Sequence, residues 1–237
     1  MLTLSNAAIA FAGVENLMGG SAADHFEIQP TGSILGSVNG GSGAGLNSLS
    51  YAQWTTGVAV NLSIVTAGNA RGISGLTSNI QLVVGGSGND TLTGDASKST
   101  ILVGLAGKDT LTGGSQQDLL LGGFGADTIR GLSRDDLLIS GATAFDNDRA
   151  ALFAIYAEWI SNRTFAQRTA NLWGNRSGTR ANGNRFLNNA ADSITDTVFA
   201  DSDVDTLLGA TGQDWFFASV SDVTDFLGIG GTPDRRN

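Results

Sequence analysis

A chain of 237 residues with 13 Lys and Arg against 22 Asp and Glu has a formal charge of −9, which disfavours nucleic acid as a partner because affinity for phosphates rests on basic side chains. Nineteen of the 22 acids are Asp and three are Glu, a skew toward turns and hard cations and away from helix surfaces. The 34 glycines come with two prolines and no Gly-X-Y period, which excludes collagen and proline-rich linkers, and the lack of Cys removes disulfides, thiol catalysis and zinc–thiolate sites.

The chain opens on a short apolar run, Ala7 to Ala12, without a basic segment before it, so no cleavable leader is expected. No uncharged apolar stretch reaches the ~18 residues of a membrane-spanning helix. Residues 1–84 read as an N-terminal β-solenoid region of degenerate repeats and spacer strands. Gly19-Gly20-Ser21-Ala22-Ala23-Asp24 begins it; Gly40-Gly41-Ser42-Gly43 follows, with Asn47 nearest the place of the acid and Leu49 and Tyr51 after it. The alternation Val58, Val60, Leu62 predicts a strand.

Residues 85–144 form the main block. Asp109, Asp118, Asp127 and Asp136 fall nine apart, each with an aliphatic residue two places later. The cleanest copies of the underlying pattern Gly-Gly-x-Gly-x-Asp-x-U-x (U apolar) are Gly85 to Thr93 and Gly122 to Arg130. The U positions run Leu92, Leu102, Leu111, Leu120, Ile129 and Leu138, with one ten-residue step where Thr100 stands in the acid's place. Residues 145–185 change period: Leu152, Ile155, Tyr156, Trp159 and Ile160 predict a helix behind a cap at Asp146 or Asp148. A second helix is expected from Thr164 through Leu172, followed by a loop, the pair forming a hairpin over an edge of the solenoid. Arg163, Arg168, Arg176, Arg180 and Arg185 are expected as solvated flanks of this hairpin, some docking on acidic turns. In 186–237 the beat returns as a degenerate block and cap, with Asp196, Asp205 and Asp214 each followed by an apolar residue at Val198, Leu207 and Phe216. Asp201 and Asp203 stand there in place of glycines.

Nine-residue copies of a six-residue turn and a three-residue strand imply two copies per coil, so that turns stack on the next-but-one repeat about 4.8 Å away. Asp90, Asp109 and Asp127 then share one column, and Asp118 and Asp136 the opposite one. Two bare carboxylates at that spacing repel by about 1 kcal/mol in water and roughly 3 to 4 at an effective dielectric of 20. A divalent ion between turns reverses the sign, and calcium, taking six to eight oxygens, suits carboxylates combined with carbonyls better than magnesium does.

These repeats resemble the RTX, or hemolysin-type, calcium-binding repeat family. The resemblance implies an all-β parallel β-roll, or β-solenoid, here with a short helical hairpin inserted, and calcium as the bound ion. It implies that Asp90, Asp109 and Asp127 ligate, with Gly85, Gly88, Gly104, Gly107, Gly122 and Gly125 shaping the turns. Asp118 and Asp136 are expected as the second column, although Gln116 replaces one glycine before Asp118, and Leu132 and Arg134 replace two before Asp136. Asp135 is a possible substitute ligand there.

No Gly-x-Ser-x-Gly, His-Glu-x-x-His or Gly-Lys-Ser/Thr motif occurs, and the single His25 is expected to face solvent beside its turn. The expectation is a non-enzymatic, extracellular calcium-binding module that folds on meeting calcium, a structural or adhesive segment of a longer secreted or cell-surface bacterial protein. A cell-surface or matrix glycan or protein is its expected partner. One alternative is the C-terminal export module of an exoenzyme, against which the ending Pro233 to Asn237 weighs because it lacks an apolar tail. Another is a calcium-dependent polysaccharide lyase using Arg130 and Arg134.

Overall fold

The computed structural model describes residues 14–175, 178–189, 196–225 and 235–236. The run 7–12, Arg176 and most of the ending 233–237 lie outside them. In chain order the N-terminal part holds β1 (Leu17–Met18), β2 (His25–Glu27), β3 (Val38–Asn39), β4 (Ser48–Ser50), β5 (Ala59–Asn61), β6 (Thr77–Ser78) and β7 (Leu82–Val84). The main block holds β8 (Thr91–Thr93), β9 (Ile101–Ala106), β10 (Thr110–Thr112), β11 (Leu119–Phe124), β12 (Thr128–Ser133), β13 (Leu137–Ile139) and β14 (Ala142–Thr143). Helices α1 (Arg149–Trp159) and α2 (Phe165–Trp173) follow, then β15 (Val198–Phe199), β16 (Thr206–Thr211), β17 (Trp215–Phe217), β18 (Val223–Thr224) and β19 (Arg235–Arg236).

From β8 to β13 the chain alternates between two parallel sheets. One has six strands in the order β18-β16-β12-β10-β8-β5, the other eight in the order β19-β17-β13-β11-β9-β7-β4-β2. Mostly parallel strands with two short helices are consistent with a parallel β-roll, and the U residues explain it. Leu92, Leu102, Leu111, Leu120, Ile129 and Leu138 are all fully buried in one cluster between the sheets, joined there by Leu207 and Phe216. A three-residue strand gives one inward side chain flanked by two outward ones. In the six-stranded sheet the outward residues are polar (Thr91 and Thr93, Thr110 and Thr112), whereas in the other sheet they are Ile101 and Val103, Leu119 and Leu121, Leu137 and Ile139.

That apolar outer face decides where the helices go. Leu152, Ile155, Tyr156, Trp159 and Leu172 pack on it in a second buried cluster with Leu82, Ile101, Leu119, Leu137 and Trp215. The hairpin therefore covers a face of the eight-stranded sheet, not an edge of the solenoid. An edge needs only its backbone groups masked, while ranks of Leu and Ile on an open face need an apolar cover. Asp148 caps α1 by accepting from Ala151 N, and Thr164 with Gln167 forms a capping box on α2. Asp146 instead accepts from the backbone and hydroxyl of Thr143.

The C-terminal repeats continue the main body. β16 pairs in parallel with β12 and β17 with β13, so the chain leaves after β13 and returns to the same two sheets. The copy at Asp196 does not join them: Val198 lies in β15, which pairs antiparallel with β14.

Candidate metal centre

Stacking brings the sequence-marked aspartates into two ladders. On the six-stranded side the N–H of Asp90 donates to Asp109 Oδ1 at 2.7 Å, that of Asp109 to Asp127 Oδ1 at 2.7 Å, and that of Asp127 to Asp205 Oδ1 at 2.7 Å. On the other side the N–H of Asp118 donates to Asp136 Oδ1 at 2.8 Å and that of Asp136 to Asp214 Oδ1 at 2.7 Å. Each acid thus ties its own rung to the one before it through one oxygen. Asp205 and Asp214 occupy the same ladders as the main block, although 78 residues separate them from their partners in place of the usual 18.

The second oxygen sorts the five acids before Asp205 and Asp214 by turn conformation. In the turns of Asp90 and Asp118 the amide of the second residue, Gly86 or Gly114, donates to Oδ2 at 2.6 Å. In the turns of Asp109, Asp127 and Asp136 that second residue is left-handed: Leu105 at φ 80°, Gly123 at φ 108°, Leu132 at φ 85°. Its amide points elsewhere, Gly123 N donating to Ser140 O. Oδ2 of Asp109, Asp127 and Asp136 is buried with no hydrogen-bond partner. A buried anionic oxygen without a partner is costly, and burial accordingly raises Asp109 to about 7 and Asp127 to about 8, with Asp136 well above its ordinary value. Neighbouring aspartates add to the rise at all three.

Backbone carbonyls gather at the same places. A Cβ built on Gly104 would fall 2.3 Å from Asp109 Oδ2 and 2.4 Å from the carbonyl oxygen of Gly122, and one on Gly122 would fall 2.4 Å from Asp127 Oδ2 and 2.5 Å from that of Ser140. Glycine is required there because the space beside the α-carbon is filled by oxygens of two successive rungs. Further out, a Cβ on Gly107 would meet Gly88 O at 2.5 Å and one on Gly125 would meet Gly107 O at 2.1 Å. Among the described residues no three His, Cys, Asp or Glu side chains converge. A cation at these turns therefore has to complete its shell from carbonyl oxygens, a donor set that fits a hard ion of high coordination number.

The pattern for the RTX calcium-binding nonapeptide repeat matches four stretches, residues 78–98, 98–129, 121–143 and 192–219. The chain carries RTX calcium-binding repeats. The ion that RTX repeats bind is calcium, and these segments make the chain a calcium-binding structural module. No curated protein matches the chain.

Two expectations change in the RTX body. Asp135 does not stand ready as a substitute ligand: its carboxylate pairs with Arg168 Nη2 and accepts from Gln213 N at 2.9 Å. Arg168 docks on the acidic turn at Asp135 as expected, but as a buried side chain and not a solvated flank, donating to Trp159 O at 2.7 Å and lying 4.8 Å over the Trp159 ring. Arg134, exposed at φ 77°, takes up the left-handed turn of the glycine it replaces. His25 is exposed with Nδ1 2.8 Å from Ser48 Oγ. No helix of the described residues is long and apolar enough to cross a membrane.

The residue that sequence reading missed, Gln81, lies upstream. Register places Gln81 and Asn47 on the same ladder as Thr100 and Asp118. The signal was a polar residue directly before each buried strand, visible at Asn47 but hidden at Gln81 by the long excursion of 51–80.

Proposed function

We propose that this chain is an extracellular calcium-binding segment whose RTX rungs set only when calcium arrives, serving as a structural or adhesive part of a secreted or cell-surface bacterial protein. The observation that carries the reading is the set of buried, partnerless Oδ2 atoms on Asp109, Asp127 and Asp136 in stacked RTX turns. Asp90, Asp109 and Asp127 on one ladder and Asp118 and Asp136 on the other would supply carboxylate ligands. Gly85, Gly88, Gly104, Gly107, Gly122 and Gly125 would keep the turns open for them. Calcium, when bound, would supply positive charge to these buried oxygens; the chain contributes the spacing, the dry surroundings and the carbonyls.

Extracellular calcium modules have dissociation constants of ~10⁻⁴ to 10⁻³ M, so such a segment stays loose at cytosolic calcium and folds outside. Export also fits the absence of Cys, since metal replaces disulfides as the stabilising cross-link. Circular dichroism of the calcium-free chain during a calcium titration, with magnesium as the control, tests the reading. A coil-to-β transition driven by calcium alone is expected; a spectrum that calcium leaves unchanged disproves it.

A further inference from the structure

On the eight-stranded side, the position directly before each strand holds Asp24, Asn47, Gln81, Thr100, Asp118 and Asp136 in successive rungs. Three consecutive members are uncharged. Asn47 is buried and makes every bond the ladder asks of it: Oδ1 accepts from Asp24 N at 2.9 Å, and its own N–H donates to Gln81 Oε1 at 2.8 Å. Thr100 ends the run by donating to Asp118 Oδ1 through both its backbone N–H and its hydroxyl.

The difference lies in the second polar atom of the side chain. Asn47 Nδ2 donates to the carbonyl oxygen of Asn79, in the next rung, at 3.0 Å. A Cβ on Gly40 would fall 2.4 Å from that Nδ2 and 2.1 Å from Asn79 O. The equivalent construction at Gly104 meets Asp109 Oδ2 and Gly122 O. One niche therefore holds a donor facing an acceptor, and the other holds two acceptors. An amide hydrogen does at Asn47 what only an added cation can do at Asp109 without altering the side chain.

We propose that Asn47, Gln81 and Thr100 make the N-terminal rungs a calcium-independent template, on which the aspartate rungs from Asp109 onward assemble as their ions arrive. The proposal rests on the calcium reading above and adds a direction to it. The chain has a finished end and a conditional end. A rung that adds to an existing strand edge closes one short loop, whereas a rung that forms alone must also create its partner.

Hydrogen exchange on the full chain, in EGTA and then in calcium chloride, tests this. In EGTA the amides of β4 and β7 are expected to stay protected while those of β10, β11 and β12 exchange freely, and calcium protects the latter. Loss of protection at β4 and β7 in EGTA, regained in the same step as β10 to β12, overturns the template and leaves the calcium reading standing. Absence of any calcium-driven protection at β10 to β12 overturns both. The variant Asn47→Asp puts two acceptors into the niche. Its β4 and β7 amides are expected to exchange about tenfold or more faster in EGTA and to recover in calcium; protection in EGTA equal to that of the unaltered chain also overturns the template.

Discussion

The two sheets are built from one repeat and face opposite ways chemically. In the six-stranded sheet the strands read Thr91-Leu92-Thr93 and Thr110-Leu111-Thr112, apolar inward and polar outward. In the eight-stranded sheet they read Leu119-Leu120-Leu121 and Leu137-Leu138-Ile139, apolar on both faces. The nonapeptide prescribes one inward residue in nine and leaves its two neighbours free. Those neighbours decide which face stays wet and which recruits a cover, here the helices inserted between β14 and β15.

The largest expected effect concerns the ladders that the two sheets share. Burial raises Asp118 to about 6, Asp109 and Asp205 to about 7 and Asp127 to about 8, against an ordinary 3.8. A carboxyl whose folded pKa is raised binds more protons folded than unfolded, so its contribution is complete below about pH 4 and is lost as pH climbs through about 8. In EGTA the β signal in circular dichroism is therefore expected to fall between pH 5 and pH 8. Over the same window calcium affinity is expected to rise, since protons must leave before the ion binds. A β signal independent of pH in EGTA contradicts the buried-ladder description.

On the covered face, Trp159→Ala removes a fully buried ring that donates from Nε1 to Asp135 O at 2.9 Å. It is expected to cost about 3 to 5 kcal/mol in calcium-saturated denaturation. Arg168→Met keeps the stem over Trp159 but strips Asp135 of its cation; because Asp135 is partly exposed, about 1 to 3 kcal/mol is expected. Leu119→Thr on the covered face and Thr110→Val on the open one form a matched pair. The first is expected to cost about 1 to 3 kcal/mol, the second to stay within about 0.5 kcal/mol. Equal effects would erase the distinction between the faces.

Much of this was legible because the signal is periodic. The interior row from Leu92 to Leu138, the two ladders and the cap of α2 follow from nine-residue and helical spacing alone, whereas spacing left the cap of α1 between Asp146 and Asp148. The cover was misplaced at an edge because a run such as Leu119-Leu120-Leu121 states that both faces are apolar without saying what buries the second. Asp205 and Asp214 looked like a separate block, since spacing along the chain records the excursion of 144–197 but not the return to β12 and β13. Asp196 kept the beat and left the sheets, while Gln81 broke the beat and stayed on its ladder. Which turns leave Oδ2 without a donor depends on whether the second residue is left-handed, and Leu105 and Leu132 adopt that conformation without being glycine. No composition rule marks them.

The detour between Asp136 and Asp205 also bears on what the body can host. Closing a loop of 78 residues in place of 18 adds only about 1 kcal/mol of loop-closure entropy, because that term grows with the logarithm of length. Any passenger with one greasy flank and ends close enough to span neighbouring rungs could be carried at such a junction, with the ladder on either side reading straight through it.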